Sequence, residues 1–421
     1  MSGPPRLRAR RLLLVSHRPV DFGGGGSVRW RYLMQALPDH GWHVTSVSAR
    51  VNITANEAST DPRLAKLAEA RARVTQSAGD LVRPVFVAAG VQPEAFAPNL
   101  LWAFTGRRAI RRAIEQVRPD VIWATGPPFS AIPAAVSAGR RLELPVVAEF
   151  RDLWAGNPYF DAGGRLLRRL EANPLRQADA VVTVTPGCIE RLLSLHPELG
   201  PRLHLLPNGF DPSVAQLRDA NRSRRGRPAV LIHAGSLYGD RTAVSLIRAL
   251  SGAALRKQVR LALVGPVDPA TTAAAQAAAD RLDVSIHPPV DWAEALERMA
   301  KADICIVINS SRTGGSMALP SKLFEALAIG RPVLALTPAG SDSERLLTRL
   351  GQAQGIARSD DEDGMVAAVQ RLLDDAPPPV PLAALADYDR ETVAKRICEL
   401  LERLSSATRE EARTPVWAAQ P

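Results

Sequence analysis

Cysteine, lysine and long apolar runs are all scarce in this chain of 421 residues, and each scarcity excludes something. The three cysteines, Cys188, Cys305 and Cys398, are odd in number and far apart. Neither a disulfide framework nor a CxxC metal pair can be drawn from them, which fits a reducing cytoplasm. No apolar run is long enough to cross a bilayer. The stretch MSGPPRLRARRLLLVSHRP at 1–19 has only LLLV before His17 and Arg18 interrupt it, and reads as a first buried strand rather than a leader. Only five of the 53 basic residues are lysine, so the net charge of +10 is an arginine bias rather than a face shaped for nucleic acid. No zinc-finger, RNP or helix-turn-helix pattern accompanies it, and no nucleic-acid partner is expected.

What is present is an ordinary soluble composition, 46% hydrophobic and 23% charged, over a length that holds two cores. Strand-like runs at 11–16, 42–48, 120–124, 145–150, 180–184 and 202–206 alternate with helical segments. The second half repeats the alternation at 229–234, 259–264, 283–287, 303–308, 332–336 and 353–357. Such alternation predicts α/β domains with parallel sheets. The polar segment 211–228 reads as a linker, which gives a first domain over 1–210 and a second over 229–385. A closing helix within 386–405 carries Val393, Ile397, Leu400, Leu401 and Leu404 at helical spacing, and 406–421 is a polar tail.

The most telling motif is PSKLFEALAIGRPVLAL at 320–336: a short apolar helix with Glu325 in its opening turns, then a buried strand. Helix N-termini attract phosphate because their free N–H groups and the helix dipole point at it. A carboxylate one turn further in can accept from both hydroxyls of a ribose diol, and Lys322 adds a charge for phosphate. Upstream, VLIHAGSLYGDRT at 230–242 is a strand followed by a Gly-rich loop, with Arg241 expected at the start of the next helix.

With PNGFD at 207–211, GSLYGDR at 235–241, PSKLFEALAIGRPVL at 320–334, ATGPPFSAIPAA at 124–135 and VVAEFRDLW at 146–154, the chain resembles retaining glycosyltransferases of the GT-B fold, the family-4 group in particular. The resemblance runs over roughly residues 11–375. It implies two Rossmann-like domains facing a central cleft, with the C-terminal helix crossing back to the first. It also implies transfer of a sugar from a nucleotide-diphosphate donor, most readily a UDP-sugar, with no cofactor and no metal, in the cytoplasm or peripheral to the inner face of its membrane. Glu325 would bind the ribose, and Arg241 and Lys322 the diphosphate. Gly235, Ser236, Ser321 and the loop Gly314, Gly315, Ser316, Met317, Ala318 would line the donor. A flexible connection is the alternative for that loop. In the first domain, Gly23, Gly24, Gly25 and Gly26 would face the acceptor, with Ser27 capping a helix over 28–37; a wide turn is the alternative. His17 reads as a loop residue. Arg151 and Asp152 end an apolar strand where such sheets place ligand groups. The resemblance sets Asp152 near the transferring sugar and Arg151 beside the acceptor; pairing with surface charges is the rival. Glu149 lies inside the strand.

Two positions depart from the family. Met317 stands where the first carboxylate of a Glu-x7-Glu motif belongs, and Ser236 where an Arg is frequent. A non-catalytic nucleotide-sugar-binding protein therefore remains an alternative, as does a sugar-nucleotide epimerase, though no additional acid and base pair is apparent. The Asp-x-Asp pairs Asp361/Asp363 and Asp387/Asp389 close no apolar strand, which disfavours a metal-dependent site. Residues 100–117 combine an apolar side with Arg107, Arg108, Arg111 and Arg112. An interfacial helix would do so in weak peripheral membrane contact, but packing on a sheet with solvated arginines is the reading the pattern favours.

Overall fold

In this computed structural model, which describes residues 10–17, 25–48, 54–55, 93–155, 164–218, 228–253, 255 and 258–406, the apolar runs assemble into two separate sheets. One unit takes the residues up to Pro207 together with those from Ala394 onward, and the other is Asn208–Val393.

The first unit runs β1 (Arg10–Ser16), α1 (Gly25–Ala36), β2 (Trp42–Ser48), β3 (Thr54–Ala55), α2 (Pro93–Val117), β4 (Val121–Gly126), α3 (Ala131–Arg141), β5 (Val146–Phe150), α4 (Gly164–Gln177), β6 (Ala180–Thr183), α5 (Pro186–Leu195) and β7 (Leu203–Leu205). Its seven strands lie in the order β3-β2-β1-β4-β5-β6-β7, parallel except where the short β3 runs against β2. Leu12 to Val15 and Val121 to Ala124 are fully buried, as strands covered on both faces must be, and this is why they read as unbroken apolar runs. Helix α1 already starts at Gly25, so Ser27 lies inside it instead of capping a helix over 28–37. Two glycines form its first turn, at a cost of about 1 kcal/mol each relative to alanine. Gly23 and Gly24 lie outside the described residues.

The second unit runs β8 (Ala229–Ala234), α6 (Val244–Gly252), β9 (Val259–Val264), α7 (Pro269–Ala277), β10 (Asp283–His287), α8 (Trp292–Lys301), β11 (Ile304–Ile308), α9 (Ser321–Ile329), β12 (Val333–Leu336), α10 (Asp342–Arg349), β13 (Ile356–Ala357) and α11 (Glu362–Asp374). Its all-parallel order is β10-β9-β8-β11-β12-β13. Two apolar clusters cover the sheet, one built with α8 and α9, the other with α6, α7 and α11. Asp268, Asp291, Ser341 and Asp361 each accept a backbone N–H at the start of a helix. The last helix, α12 (Arg390–Ser406), begins in this unit and continues in the first, burying Ile397, Leu400, Leu401 and Leu404. Both sheets have a doubly wound order, so the chain is an α/β protein of two Rossmann-like domains.

Candidate functional site

In the second sheet the winding reverses between β8 and β11, where open α/β sheets take their ligands. These two strands pair only through Ile304 with Leu231 and Cys305 with Ile232. Beyond that point a side chain spans them: His233, 1% exposed, sets Nδ1 3.1 Å from the Ile306 carbonyl oxygen. The loop after β8 lies across the end of β9, with Gly235 N–H on Val264 O and Leu237 N–H on Pro266 O, both at 2.8 Å. Gly235 has φ +141°, and a Cβ there would overlap the Lys322 ammonium. That ammonium stands 3.3 Å from His233 Nε2. Burial and then the Arg241 charge bring Lys322 down to about 8, with Glu325 opposing. Burial, followed by the Lys322 charge, also holds His233 well below the usual imidazole range.

Arg241 does not open a helix as its sequence position led us to expect, because α6 begins only at Val244. The Ala243 N–H is taken by Thr271 Oγ1 at 3.1 Å, and Arg241 instead closes a turn with Tyr238, N–H to carbonyl at 3.1 Å. Its guanidinium lies over the Tyr238 ring, 4.0 Å from the centroid. Asp240, between them, ties this loop to the one after β11: one carboxylate oxygen accepts from Ser310 Oγ at 2.7 Å, Ser311 N at 2.9 Å, Ser311 Oγ at 3.0 Å and Arg312 N at 3.3 Å.

The loop over Gly314, Gly315, Ser316, Met317 and Ala318 is a 3-10 turn, Thr313–Met317, with Ala318 just after it. Gly315 is obligatory because a Cβ would meet the Ser310 carbonyl. The Ala318 carbonyl accepts from Ser343 Oγ at 2.7 Å. Ser316, Met317 and Ser321 are half-buried, and Ser236 is exposed.

On α9, Lys322 and Glu325 are one turn apart and share a face. Glu325 is 6% exposed; its Oε1 accepts from Trp292 Nε1 at 2.9 Å and stands 3.8 Å from the Arg390 guanidinium. Burial raises its pKa, with Arg390, the indole and Lys322 pulling the other way. Arg390 also donates to the carbonyls of Asn208 at 3.3 Å and Gly209 at 3.2 Å. Gly235, Arg241, Lys322 and Glu325 are thus gathered around one strand end and one helix start. Sequence reasoning passed over His233, Trp292, Asp240 and Arg390, which complete the group.

The first unit gathers its own polar residues at strand ends. His17, after β1, places Nδ1 3.0 Å from Ser130 Oγ and meets Trp102 edge-on at 5.7 Å. Arg151, after β5, donates through Nε to Gly126 O at 3.3 Å and through Nη2 to Pro127 O at 3.0 Å, bracing the loop that follows β4. Asp152 beside it is exposed. Glu149 is fully buried and receives Trp30 Nε1 at 2.7 Å and Arg29 Nε at 3.2 Å. Although burial opposes it, this company, with Arg151 and Thr125, keeps its carboxyl below the usual range. Glu171, 1% exposed, accepts the N–H groups of Trp154 at 3.2 Å and Ala155 at 3.1 Å, and burial lifts it to about 7. In α2, Trp102, Ile110 and Ile114 are buried while Arg108, Arg111 and Arg112 face solvent. No helix among the described residues is long and apolar enough to cross a membrane.

Comparison with known proteins agrees with this architecture. Residues 23–214 match the family model Glycosyltransferase Family 4, and residues 228–375 match Glycosyl transferases group 1. No curated protein sequence matches. The fold is similar to that of sucrose-phosphate synthase from Thermosynechococcus elongatus, at 16% identity and a TM-score of 0.64 over 95% of this chain and 100% of that one. A glycosyltransferase from Rickettsia africae ESF-5 matches at 10% identity and a TM-score of 0.66, covering 96% and 100%. Anabaena HepE in complex with UDP-glucose matches at 17% identity and a TM-score of 0.57, covering 93% and 99%. With both family models following one another along the chain, and each half folded as a Rossmann-like domain, the chain belongs to the family-4-like glycosyltransferases of the GT-B fold.

Proposed function

We propose that the second unit binds a nucleoside-diphosphate sugar, a UDP-sugar before others, and that the chain transfers its hexosyl or related group with retention to an acceptor held by the first unit. The observation that carries this reading is the pair on α9: Lys322 and Glu325 lie one turn apart, yet each is held by partners of its own, His233 for the cation and Trp292 with Arg390 for the carboxylate. Opposite charges kept from neutralising each other suit a ligand with an anionic end and a hydroxyl-rich end.

In this reading Glu325 accepts from the ribose diol, while Arg241, Lys322 and the N–H groups opening α9 stabilise the charge growing on the departing diphosphate. Gly235, Ser236, Ser321 and the turn Gly314 to Ala318 approach the phosphates and sugar with their backbone. Asp152 stands by the transferring sugar, with Arg151 and the glycines 23–26 toward the acceptor. The leaving phosphate itself helps to deprotonate the acceptor, so the scheme needs no dedicated protein base. The HepE structure holding UDP-glucose supports the choice of donor. Met317, where the family motif has a carboxylate, favours a second reading in which the chain binds a nucleotide sugar without turning it over; donor hydrolysis or transfer separates the two.

Calorimetry with UDP, GDP and several UDP-sugars on the wild type and on Glu325→Ala tests the site. Micromolar binding of one nucleotide, weakened about tenfold or more in the variant, is expected from the loss of hydrogen bonds to a charged group. Equal binding by both proteins would overturn it.

A further inference from the structure

His233 lies in the strand half of VLIHAGSLYGDRT, buried in the second sheet at the point where the winding reverses. Its protonation is fixed by its neighbours. A carbonyl oxygen can only accept, so the 3.1 Å contact with Ile306 O puts the proton on Nδ1. The ring is neutral, so Nε2 carries a lone pair, and among the described residues it meets the Lys322 ammonium at 3.3 Å. The charged groups around that ammonium are Arg241, from the loop after β8, and Glu325, one turn along its own helix. The smallness of Gly235 keeps the space that the ammonium occupies.

We propose that His233 is a positioning residue for the diphosphate, a neutral acceptor that lodges the Lys322 ammonium at the mouth of the β8–β11 gap so that its charge stays available to an anion. This rests on the reading of the second unit as a nucleotide-sugar site. A carboxylate in the place of His233 would hold the lysine equally well but would cancel its charge. An apolar residue would leave a half-buried ammonium without this acceptor, which is costly. A neutral imidazole avoids both, and its second nitrogen is anchored on β11, so the acceptor points in one direction only.

The two sides of the imidazole can be removed separately. His233→Asn keeps a donor near the Nδ1 position for Ile306 O but cannot reach Lys322, whereas His233→Gln carries an amide oxygen out to the Nε2 position. With five lysines in the chain, ε-carbon-labelled lysine gives few enough NMR signals to titrate each one. The wild type is expected to show one lysine titrating near 8, identified by its absence in Lys322→Met. In His233→Asn this signal should titrate at lower pH, because the charged form has lost its acceptor, and in His233→Gln it should return toward the wild-type value. In parallel, affinity for the tightest-binding nucleoside diphosphate should fall about tenfold in His233→Asn, with the monophosphate affected about threefold or less, and recover in His233→Gln. An unmoved lysine titration in His233→Asn, or equal losses for the two nucleotides, overturns the proposal. A wild type that shows the shifted lysine but binds no nucleotide refutes the donor-site reading instead, and with it the role in catalysis, while leaving the His233–Lys322 pairing standing.

Discussion

Trp292 donates its indole N–H to Glu325 Oε1 across 2.9 Å, from a helix that precedes β11 to one that follows it. The carboxylate is thus aimed by a residue that lies on neither the Gly-rich loop nor α9. Trp292→Phe keeps the aromatic bulk and deletes that donor. Burial already raises Glu325, and removing the indole should raise it further. Only the ionised carboxylate accepts from both ribose hydroxyls, so nucleotide affinity falls as pH drops through this pKa. The acidic limb should therefore move to higher pH in the variant, with affinity at neutral pH reduced about threefold to tenfold. Calorimetry from pH 5 to 8, compared with the wild type at each pH, cancels the titration of the ligand itself; superimposable limbs would dismiss the idea.

Gly235→Ala should displace Lys322 without unfolding the domain. The added methyl overlaps the far end of a flexible side chain, which can swing away, and the remaining penalty is backbone strain at φ +141°. We expect a loss of about 1–3 kcal/mol in stability and about tenfold in diphosphate affinity. A thermal melt beside a binding isotherm measures both. Undiminished affinity would mean that the lysine has no part in holding phosphate.

Asp240→Ala removes the acceptor shared by Ser310, Ser311 and Arg312. Ser311 and Arg312 are exposed, so water can replace the carboxylate for them while buried Ser310 loses its acceptor, and the stability cost should be about 1–2 kcal/mol. The cost to donor binding should be larger in proportion, about tenfold, because the turn at 313–317 loses its fixed approach. The relevant contrast is a raised KM for the donor against a small drop in melting temperature.

Glu171 offers a test through pH that is independent of any ligand. In the folded chain its carboxyl keeps the proton up to about 7, against an ordinary value of 4.5. Between those values the folded state holds more protons than the unfolded one, so stability falls as pH rises through this window and is lowest above about 7. Glu171→Gln keeps an oxygen for the Trp154 and Ala155 N–H groups and never ionises. It should stabilise the protein by about 3 kcal/mol at pH 8 and by less than about 0.5 kcal/mol at pH 4.5. Chemical denaturation at the two pH values reads the difference, and an equal effect at both would contradict the burial argument.

The parts of this protein that were legible in its sequence are those whose cause is local. Strands such as VIWATG and VLIHA announce themselves because both faces are covered, which makes nearly every position apolar instead of alternate ones. Lys322 and Glu325 stand out because a cation and a carboxylate in the first turns of a short apolar helix form a pattern within a few residues. Tertiary partners hide the rest. The Thr271 hydroxyl that keeps Ala243 out of the helix, and so leaves Arg241 in a turn, comes from the next helix but one strand away. Ser27 carries a capping signal that the two glycines before it override by joining α1. His233 is masked by its setting, a polar residue in an apolar strand whose partners are a carbonyl on β11 and an amine on α9. Strand β3, only two residues long, has no pattern to display.

The passage of α12 from the second unit into the first has a consequence for how the protein is made. Residues 394–406 supply buried Ile397, Leu400, Leu401 and Leu404 to a unit whose sheet is otherwise finished by β7, and Glu402 pairs with Arg10 at 2.6 Å, joining the two extremes of the described chain. On the ribosome, every residue of the second unit emerges before residues 394–406 of this helix do. The domain translated first is therefore the one completed last, and until the final turns of α12 leave the exit tunnel it carries apolar surface exposed to water.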